Sequence, residues 1–572
     1  MLDVERQLGL RFVMRVRGRE VAAERVRSAI EAAHGLDVIV REFPRHAAPA
    51  SEAECRFVLE IPDIARADIP QNVFDLARQL GETAGLAMTL VEPDIPTIAM
   101  AKEQPGAPRS LFGGVGTCAE APDPNLAKDW HTKTVNASAA WSLTPPPGGK
   151  QFGEGIRVGH PDTGWKAHLE LDAAALDLAR SWDVLDDDPD AEDPLVSSAP
   201  IPSPGHGLGT GSVIVSGHAS GVLMGIAPKA HLVPIRTTDS VALFFSSNLT
   251  RAVDHAILKD CHVISISLGG TLLFHLEETI LDAIDRNLIV CAASGNCIWF
   301  VPSPAAYSGC IAVAATWSDD SPWQGSSAGV EVDIASPGVN VWVARRDTDR
   351  ASQTRVAQST GASPATATVA GAAALWLAFH GRDALIGRYA GTPVRLQHVF
   401  ATLLKRTARR PDGWPDERYG AGILDVQALL AAPLPSAATI QRDIAVPDPF
   451  TFASSAELIA NMTSLTPEQA EVRLAALFGQ PAARSLAEGR APGTSSSTDA
   501  ELHAQELMSI LAEHQSAYED FVDPRHDRAA LAVPDARRGG DASPRMPMRS
   551  VTRFASESFR DASLRADRDR DH

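Results

Sequence analysis

The sequence predicts an α/β protein: a parallel sheet sandwiched by helices, preceded by a small α+β domain and followed by a helical and disordered tail. Two observations lead to this prediction. Between residues 125 and 432, apolar β-branched runs alternate with Ala- and Leu-rich stretches of helical period, which is typical of parallel strands joined by helical crossovers. On both sides of that region the chain becomes rich in Pro and the pattern changes, so further domains are expected at the two ends.

The first domain is predicted over residues 1–95, in the order strand, helix, strand, strand, helix, strand. That order fits a ferredoxin-like split unit. The predicted elements are Leu10–Arg17, 22–33, Leu36–Glu42, Cys55–Ile61, 73–83 and Leu86–Val91. Residues 96–124 are rich in Pro and Gly and are expected to form a linker.

The second domain, over residues 125–432, is predicted to contain four central strands, each a short run of apolar residues. They are Gly155–Val158, Val263–Ile266, Leu288–Ala292 and Ile311–Ala314. Open α/β sheets place their functional side chains at the carboxyl edge of the strands. Asp162 follows the first of these strands, directly before the turn residues Thr163 and Gly164, so its carboxylate is a candidate for such a site.

The last 140 residues divide into two parts. Residues 433–522 are expected to form a Pro- and Ser-rich linker with two helices. One helix is predicted at Pro467–Phe478, with Thr466 as its N-cap, and the other at about 499–521. Residues 523–572 carry many Arg, Asp and Ser residues and few large apolar ones, so a disordered tail is expected, with a protein-binding tail as the alternative.

Composition excludes some partners and favours a location. The formal charge of −19 argues against a general nucleic-acid or anionic-membrane binder. No uninterrupted apolar stretch approaches the ~20 residues of a membrane-spanning helix, and the first residues lack the apolar core of a secretory signal, so a cytoplasmic protein without membrane insertion is expected. The six cysteines have neither dense disulfide spacing nor a CxxC pattern, and reduced structural thiols are expected.

Three blocks carry candidate catalytic residues beside small neighbours. Asp162 lies in Val-Gly-His-Pro-Asp-Thr-Gly, His206 in Gly-His-Gly-Leu-Gly-Thr-Gly, and Ser363 in Gly-Ala-Ser-Pro-Ala-Thr-Ala. The order Asp, His, Ser is one of the few known for a catalytic triad. Taken singly, each residue has an ordinary alternative: a turn Asp, a loop His, and a Ser that caps a helix whose first residue is Pro364.

Together these blocks resemble the subtilisin-like serine peptidases, or subtilases, and the resemblance covers roughly half of the chain. Five further segments are similar to subtilase segments: 225–230, 265–270, Ala292–Asn296, 334–338 and 418–426. The resemblance implies a subtilisin-like fold and a serine endopeptidase that hydrolyses polypeptide substrates without any required cofactor or metal. It also implies that the first domain is a chaperoning and inhibitory propeptide, with a plain accessory domain as the alternative.

The resemblance also implies a role for each site residue. Ser363 would be the nucleophile, His206 the general base, and Asp162 the carboxylate that orients His206. The Asn296 amide would stabilise the oxyanion together with the backbone N–H of Ser363. The substrate-binding residues implied are a strand edge that pairs with the peptide and a neighbouring segment, namely Ser267, Leu268, Gly269, Ala293, Ser294 and Gly295.

Two features leave alternatives open. Ala362 and Ala367 stand where subtilases usually have Thr and Pro, so reduced activity is one outcome, and a pseudoprotease that only binds peptides is the rival function. The run 183–193 holds many carboxylates, which suit Ca²⁺, so a structural calcium site and a solvated acidic loop are both interpretations of it.

Overall fold

A computed structural model describes residues 9–18, 20–43, 54–62, 72–95, 120–196, 202–217, 221–241, 245–271, 273–298, 300–443, 454–463, 465–487, 499–513, 515–523 and 548–570. The chain divides into two compact units. Unit 1 comprises Met1–Ala107, Thr271–His275 and Thr451–His572, and unit 2 comprises Pro108–Gly270 and Leu276–Phe450. The predicted linker is mostly outside the described residues.

Unit 1 begins with a four-stranded antiparallel sheet. Its elements are β1 (Leu10–Arg17), α1 (Ala23–His34), β2 (Ile39–Glu42), β3 (Glu54–Ile61), α2 (Val73–Gly81) and β4 (Met88–Pro93). The strand order is β2-β3-β1-β4, so the expected small antiparallel domain is confirmed. Alternate residues of β1, among them Phe12 and Met14, are buried against α1 and α2 because side chains of a strand alternate between its two faces.

Thr271–His275 belongs to unit 1 through polar contacts with the end of β4 and the residues after it. The carboxylate of Glu92 accepts hydrogen bonds from the backbone N–H groups of Phe274 and His275, at 3.1 Å each. The Thr271 hydroxyl donates to the Ile95 carbonyl at 3.0 Å. A carboxylate at the first N–H groups of a helix is stabilised by their unpaired dipoles, and Phe274 begins a helix here.

Unit 2 is built on a seven-stranded parallel sheet with the order β11-β10-β9-β8-β5-β7-β6. The strands are β5 (Arg157–Asp162), β6 (Trp182–Asp183), β7 (His231–Arg236), β8 (Val263–Ile266), β9 (Ile289–Ala293), β10 (Ile311–Thr316) and β11 (Val332–Pro337). A separate hairpin pairs β12 (Val341–Ala344) with β13 (Val356–Ser359). The prediction of a parallel sheet with helices is confirmed.

Helices cover this sheet. They are α3 (Trp130–Thr134), α4 (Ala137–Trp141), α5 (His206–Val215), α6 (Ser246–Leu258), α7 (Phe274–Asp285), α8 (Ala362–His380), α9 (Arg382–Tyr389), α10 (Leu396–Thr407), α11 (Asp416–Tyr419), α12 (Val426–Ala431) and α13 (Ala437–Asp443), with short 3₁₀ turns at Ala173–Ala175 and Leu178–Arg180. Helices α5 and α8 are buried on nearly all sides, since Gly and Ala let them pack closely on the strands.

Among the described residues, α8 alone is long and apolar enough to cross a membrane by length and composition. It is not an uninterrupted apolar stretch, since Ser363, Thr366 and Thr368 lie within it. The helix is entirely buried, and it packs against β8, β9 and β10. Its apolar character is explained by its place in the core of unit 2.

The remaining part of unit 1 is helical. Its helices are α14 (Ser455–Thr463), α15 (Pro467–Phe478), α16 (Gln480–Ala487), α17 (Asp499–Glu513), α18 (Gln515–Val522), α19 (Arg549–Phe554) and α20 (Glu557–Arg570). The prediction of α15 is confirmed, including the reciprocal capping by Thr466 and Gln469. Disorder is wrong for residues 549–570, because Val551 and Phe559 are fully buried. Residues 524–547 lie outside the described part of the tail.

Candidate active site

The site begins where β5 ends, at Asp162. This carboxylate is fully buried, and its Oδ1 accepts a 2.7 Å hydrogen bond from Nδ1 of His206 and another of 2.7 Å from the backbone N–H of Thr163. Burial opposes the charge, but the neighbouring His206 and these hydrogen bonds outweigh burial, so the pKa of Asp162 lies below its ordinary value. The structure thus brings together the predicted carboxylate and the predicted base.

His206 is the first residue of α5, and 19% of its side chain is exposed to solvent. Gly207 follows it, and a Cβ at this position would lie 2.3 Å from the Gly164 carbonyl oxygen. A side chain at this position would therefore collide with the turn after β5. Its lack of a side chain lets α5 approach the turn after β5, which is what brings His206 to Asp162.

A second buried carboxylate holds the same turn in place. Asp193 accepts hydrogen bonds from the Thr163 hydroxyl at 2.9 Å and from the backbone N–H of Gly205 at 2.8 Å. The Thr163 hydroxyl oxygen in turn accepts from the N–H of Gly207 at 3.0 Å. The two glycines on either side of His206, Gly205 and Gly207, are therefore held by Asp193 and Thr163 through their backbone N–H groups. Burial raises the pKa of Asp193, while these hydrogen bonds oppose that shift.

Ser363 lies in the first turn of α8 and is 7% exposed. The helix begins at Ala362 and not at Pro364, since Pro is tolerated throughout a first turn whose N–H groups lack helical acceptors. The Ser363 hydroxyl donates to the Ser267 carbonyl at 3.4 Å. Within the described part of the chain, no hydrogen bond joins Ser363 to His206.

Asn296 follows β9 and stands next to the start of α8. Its Oδ1 accepts a 2.8 Å hydrogen bond from the backbone N–H of Ala362, which directs the amide NH₂ away from that helix. Gly361 has a φ of +155°, and a Cβ there would lie 2.9 Å from the Asn296 Nδ2. Only glycine therefore lets the helix start approach this amide. The Asn296 side chain is exposed, as an amide donor to a ligand must be.

The six predicted substrate-binding residues follow β8 and end β9. Leu268 is 1% exposed and Ser294 is 0% exposed, and the Ser294 hydroxyl contacts that of Ser326 at 3.1 Å. The two side chains point into the core, which leaves the backbone of these segments to meet a ligand. Gly269 and Gly295 are only partly buried, and Ser267, Leu268, Ala293 and Ser294 are buried.

Pro302 lies close to both of these segments, and the space between the segments is called the groove below. A Cβ on Gly269 would lie 2.6 Å from Cγ of Pro302, and a Cβ on Gly295 would lie 2.9 Å from its Cδ. The proline ring is therefore packed close to both glycines.

Three of the seven carboxylates in the acidic run pair with arginine. Asp183 and Asp186 both bind Arg236, and Asp187 binds Arg251 at 2.5 Å. Among the described residues, no group of three or more His, Cys, Asp or Glu side chains could hold a metal ion. The carboxylates of this run neutralise the two guanidinium groups.

The cysteines differ in state. Cys55, Cys261, Cys291 and Cys310 are free and buried. Cys297, directly after Asn296, is bonded in a disulfide. The expectation of reduced thiols is wrong for this residue, because the spacing of cysteines along a chain does not reveal which of them meet in the fold. Cys118 lies outside the described residues.

Four residues beside the site were not identified from the sequence: His160, Asp193, Thr210 and Pro302. Thr210 donates to Oδ2 of Asp162 at 3.2 Å, and Nε2 of His160 lies 3.8 Å from the same oxygen. His160 stands two residues before Asp162 on the same strand, so its position on the Asp162 face could have been found from the alternation of a strand. The loop residue Asp193 carries no such signal.

A family model matches the region that holds this site, and several known proteases are similar to part of the chain. The model of the subtilase family, peptidase S8, matches residues 153–422. Thermitase from Thermoactinomyces vulgaris is 30% identical over 264 residues, which are 45% of this chain and 85% of that protein. Subtilisin Savinase from Lederbergia lenta is 30% identical over 228 residues, 39% of this chain and 76% of that protein.

Other matches extend less far. A thermostable alkaline protease from Halalkalibacterium halodurans is 30% identical over 226 residues, and the match spans 57% of its length. Among solved structures, a chain described as proteases from Pseudoalteromonas arctica is matched with a TM-score of 0.43 at 22% identity, over 55% of this chain and 99% of that one. The residues matched by the family model, 153–422, lie in the parallel-sheet unit, which holds the candidate site.

Proposed function

The chain belongs to the subtilase family of serine-type endopeptidases, and on that premise we propose that it cleaves peptide bonds with Ser363, His206 and Asp162. The observation that carries the proposal is the 2.7 Å hydrogen bond between the buried Asp162 carboxylate and His206. This bond holds the ring with Nδ1 as the donor, so that Nε2 is left free to accept a proton. A peptidase of this family acts on polypeptide substrates.

The proposed first step is attack on the scissile carbonyl. The Ser363 hydroxyl turns from the Ser267 carbonyl toward His206, gives its proton to Nε2, and its oxygen bonds to the carbonyl carbon. The charged Asp162 then stabilises the protonated imidazole. His206 passes the proton to the leaving amine, and the acyl group stays on Ser363 until a water molecule, activated by the same imidazole, releases it.

The oxyanion has two proposed donors. One is the Asn296 amide, which is supported by the hydrogen bond that fixes its oxygen on Ala362 and leaves its NH₂ for a ligand. The other is the N–H of Ser363, one of the first N–H groups of α8 that lack a helical acceptor. Fixed donors of this kind need no rearrangement as charge develops, which is why they favour the transition state.

The proposal is tested on the full chain by hydrolysis of a fluorogenic peptide and by covalent labelling with a fluorophosphonate probe. The wild type is expected to do both, and Ser363→Ala neither. An Asp162→Asn variant should retain some labelling but lose most of its rate, because the ring orientation changes while Ser363 remains. A folded wild type that binds peptides without labelling or turnover would establish the pseudoprotease instead.

We further propose that the N-terminal domain restrains this activity. Glu92, at its last strand, binds the N–H groups of Phe274 and His275, which closely follow Ser267–Gly269 along the chain. The domain thus binds a chain segment that follows Ser267–Gly269 by a few residues, and this contact supports the proposal of restraint. Deletion of residues 1–95 is expected to raise the rate. A chain that remains full-length by mass spectrometry, is fully active and gains nothing from the deletion would contradict restraint.

A further inference from the structure

His160 is a buried histidine that the reaction described above does not use. It is 1% exposed and lies on β5, where alternate residues share a face, so that His160 and Asp162 both point toward α5. On α5, Thr210 and His206 are four residues apart and share a face as well. A separation of two residues along a strand is about 6.6 Å, and a separation of four residues along a helix is about 6 Å. Because these spacings are similar, the two side chains of β5 can each face one of the two side chains of α5.

The contacts bear out this register. Nδ1 of His206 meets Oδ1 of Asp162 at 2.7 Å, and Nε2 of His160 meets the Thr210 hydroxyl oxygen at 3.0 Å. The Thr210 hydroxyl is 3.2 Å from Oδ2 of Asp162 and thereby links the two pairs. His160, Thr210, Asp162 and His206 form one continuous line of hydrogen bonds, all of it within unit 2.

The tautomer of His160 decides what the Thr210 proton does. If Nε2 carries the hydrogen, it donates to the Thr210 oxygen, and the positive end of that N–H also faces Asp162 at 3.8 Å. If Nε2 carries the lone pair instead, it accepts a hydrogen bond from the Thr210 hydroxyl. The negative end of the imidazole then faces the negatively charged Asp162 carboxylate. The first arrangement is favoured electrostatically. Burial lowers the pKa of His160, although the charge of Asp162 opposes that effect, and the ring is therefore held neutral.

The Thr210 hydroxyl then has one proton and three acceptors within reach. These are Oδ2 of Asp162 at 3.2 Å, the His206 carbonyl at 3.1 Å and the Gly207 carbonyl at 3.4 Å. Carbonyl groups inside a helix already accept backbone hydrogen bonds, whereas a buried carboxylate oxygen needs a donor. A charged acceptor also gives the stronger hydrogen bond. The proton therefore goes to Asp162.

We propose that His160 is a positioning residue for the reaction: its Nε2–H holds the Thr210 hydroxyl so that the proton of Thr210 binds Oδ2 of Asp162, which fixes the carboxylate that orients His206. The inference rests on the proposed function for its effect on rate. His160 touches neither substrate nor the reacting atoms and acts only through Thr210.

The kinetic test uses His160→Leu, Thr210→Val and the double variant of the full chain. Thr210→Val removes the neutral donor to the charged Asp162, and His160→Leu removes the group that holds that donor in place. In each variant kcat is expected to fall about tenfold with KM nearly unchanged. Because both act through one hydroxyl, the double variant should be no slower than Thr210→Val. Thr210→Ser, which restores the hydroxyl, and His160→Gln, which restores an N–H donor, should recover most of the rate.

The matched control is Thr250→Val, which removes another fully buried helical hydroxyl, one that bonds the Ser246 carbonyl of its own helix. Its kcat should stay within twofold of the wild type. Losses that multiply in the double variant, or an effect of Thr250→Val as large as that of Thr210→Val, would reduce His160 to a packing residue and overturn the proposal.

A spectroscopic readout separates this proposal from the proposed function. In chain labelled with ¹⁵N-histidine, His160 is expected as the Nε2–H tautomer, and the proton in the Asp162–His206 hydrogen bond as a low-field resonance that weakens in Thr210→Val. An Nδ1–H tautomer at His160 would overturn the proposal whatever the activity. An inactive wild type with the expected resonances would instead refute the proposed function and leave the positioning intact.

Discussion

The contact of Pro302 with Gly269 and Gly295 predicts which peptides the site accepts. The proline ring lies against both glycines, so a substrate side chain that enters between the two segments meets it at once. The residue on the acyl side of the cleaved bond, P1, is therefore expected to be small, with Ala or Gly preferred over Leu or Phe. Pro302→Gly removes three ring carbons and deepens the groove.

The size of the change follows from those carbons. A Leu side chain has three more carbons than Ala, and each buried methylene contributes about 0.8 kcal/mol, which gives an upper limit near 2.4 kcal/mol. Partial collapse of the loop reduces this gain to about 2 kcal/mol, or about 30-fold in the ratio of kcat/KM for Leu over Ala. Turnover of the Ala substrate should change little, because its methyl group does not need the new space.

The assay is the hydrolysis of fluorogenic peptides that differ only at P1, with Gly, Ala, Val, Leu or Phe. Pro322→Gly serves as the control, since Pro322 lies in a bridge with Thr316 and is not part of the groove. A wild type that already prefers Leu or Phe would refute the steric reasoning. So would a Pro302→Gly variant whose P1 profile matches that of Pro322→Gly.

Three further predictions concern catalysis and stability. Asn296→Ala should lower kcat about 10²–10³-fold with KM nearly unchanged, which is the size of effect found for the equivalent donor in a subtilisin relative. An unchanged kcat would exclude the amide from the oxyanion site. Burial raises the pKa of Glu331 to about 7, so the folded chain loses stability as the pH rises from 4.5 to 7. Glu331→Gln should therefore raise the free energy of unfolding by about 1–2 kcal/mol at pH 8 and leave it unchanged at pH 4.5. Urea unfolding at the two pH values measures this difference. Burial lowers the pKa of His131 to about 4, so the folded chain binds fewer protons than the unfolded chain between pH 4 and 6.5 and loses up to about 3 kcal/mol as pH falls through that window. His131→Gln should flatten this dependence, whereas the partly exposed His231→Gln should leave it as steep as in the wild type.

The strands were the part of the fold that the sequence predicted well. Val263–Ile266 was predicted with its observed bounds, and Leu10–Arg17 likewise, because a run of buried β-branched or alternating residues has few other structures open to it. The first central strand was placed too early. It runs on to Asp162 through His160 and Pro161, two residue types that are uncommon in strands, and its parallel neighbours hold it extended.

The helical end of the chain was predicted poorly for a physical reason. Composition measures how many apolar residues a segment has, but packing depends on where they meet. Phe559 is one of few aromatic residues after 523, yet it packs on Phe478 with ring centres 4.8 Å apart. Glu506 similarly accepts from the Ser556 N–H and hydroxyl. Such contacts join residues about 50–80 positions apart, a distance over which local patterns carry no information.

Candidate site residues could be found where they stand in a block, and could not where tertiary contact defines them. Asp162, His206 and Ser363 lie next to glycines and small residues whose spacing is visible in the sequence. Asp193 lies 13 residues before His206 in an acidic loop, and nothing in that loop distinguishes it from its neighbours. Only the fold brings its carboxylate to Thr163 and Gly205.

The proposed activity requires that Ser363 be a nucleophile activated by His206 and Asp162. Treatment of the full chain with a fluorophosphonate, followed by tandem mass spectrometry, locates the residue that is modified. One phosphonyl group per chain is expected, attached to Ser363, with labelling slowed strongly in His206→Ala. An adduct on another residue, or labelling that is equally fast without His206, would contradict it.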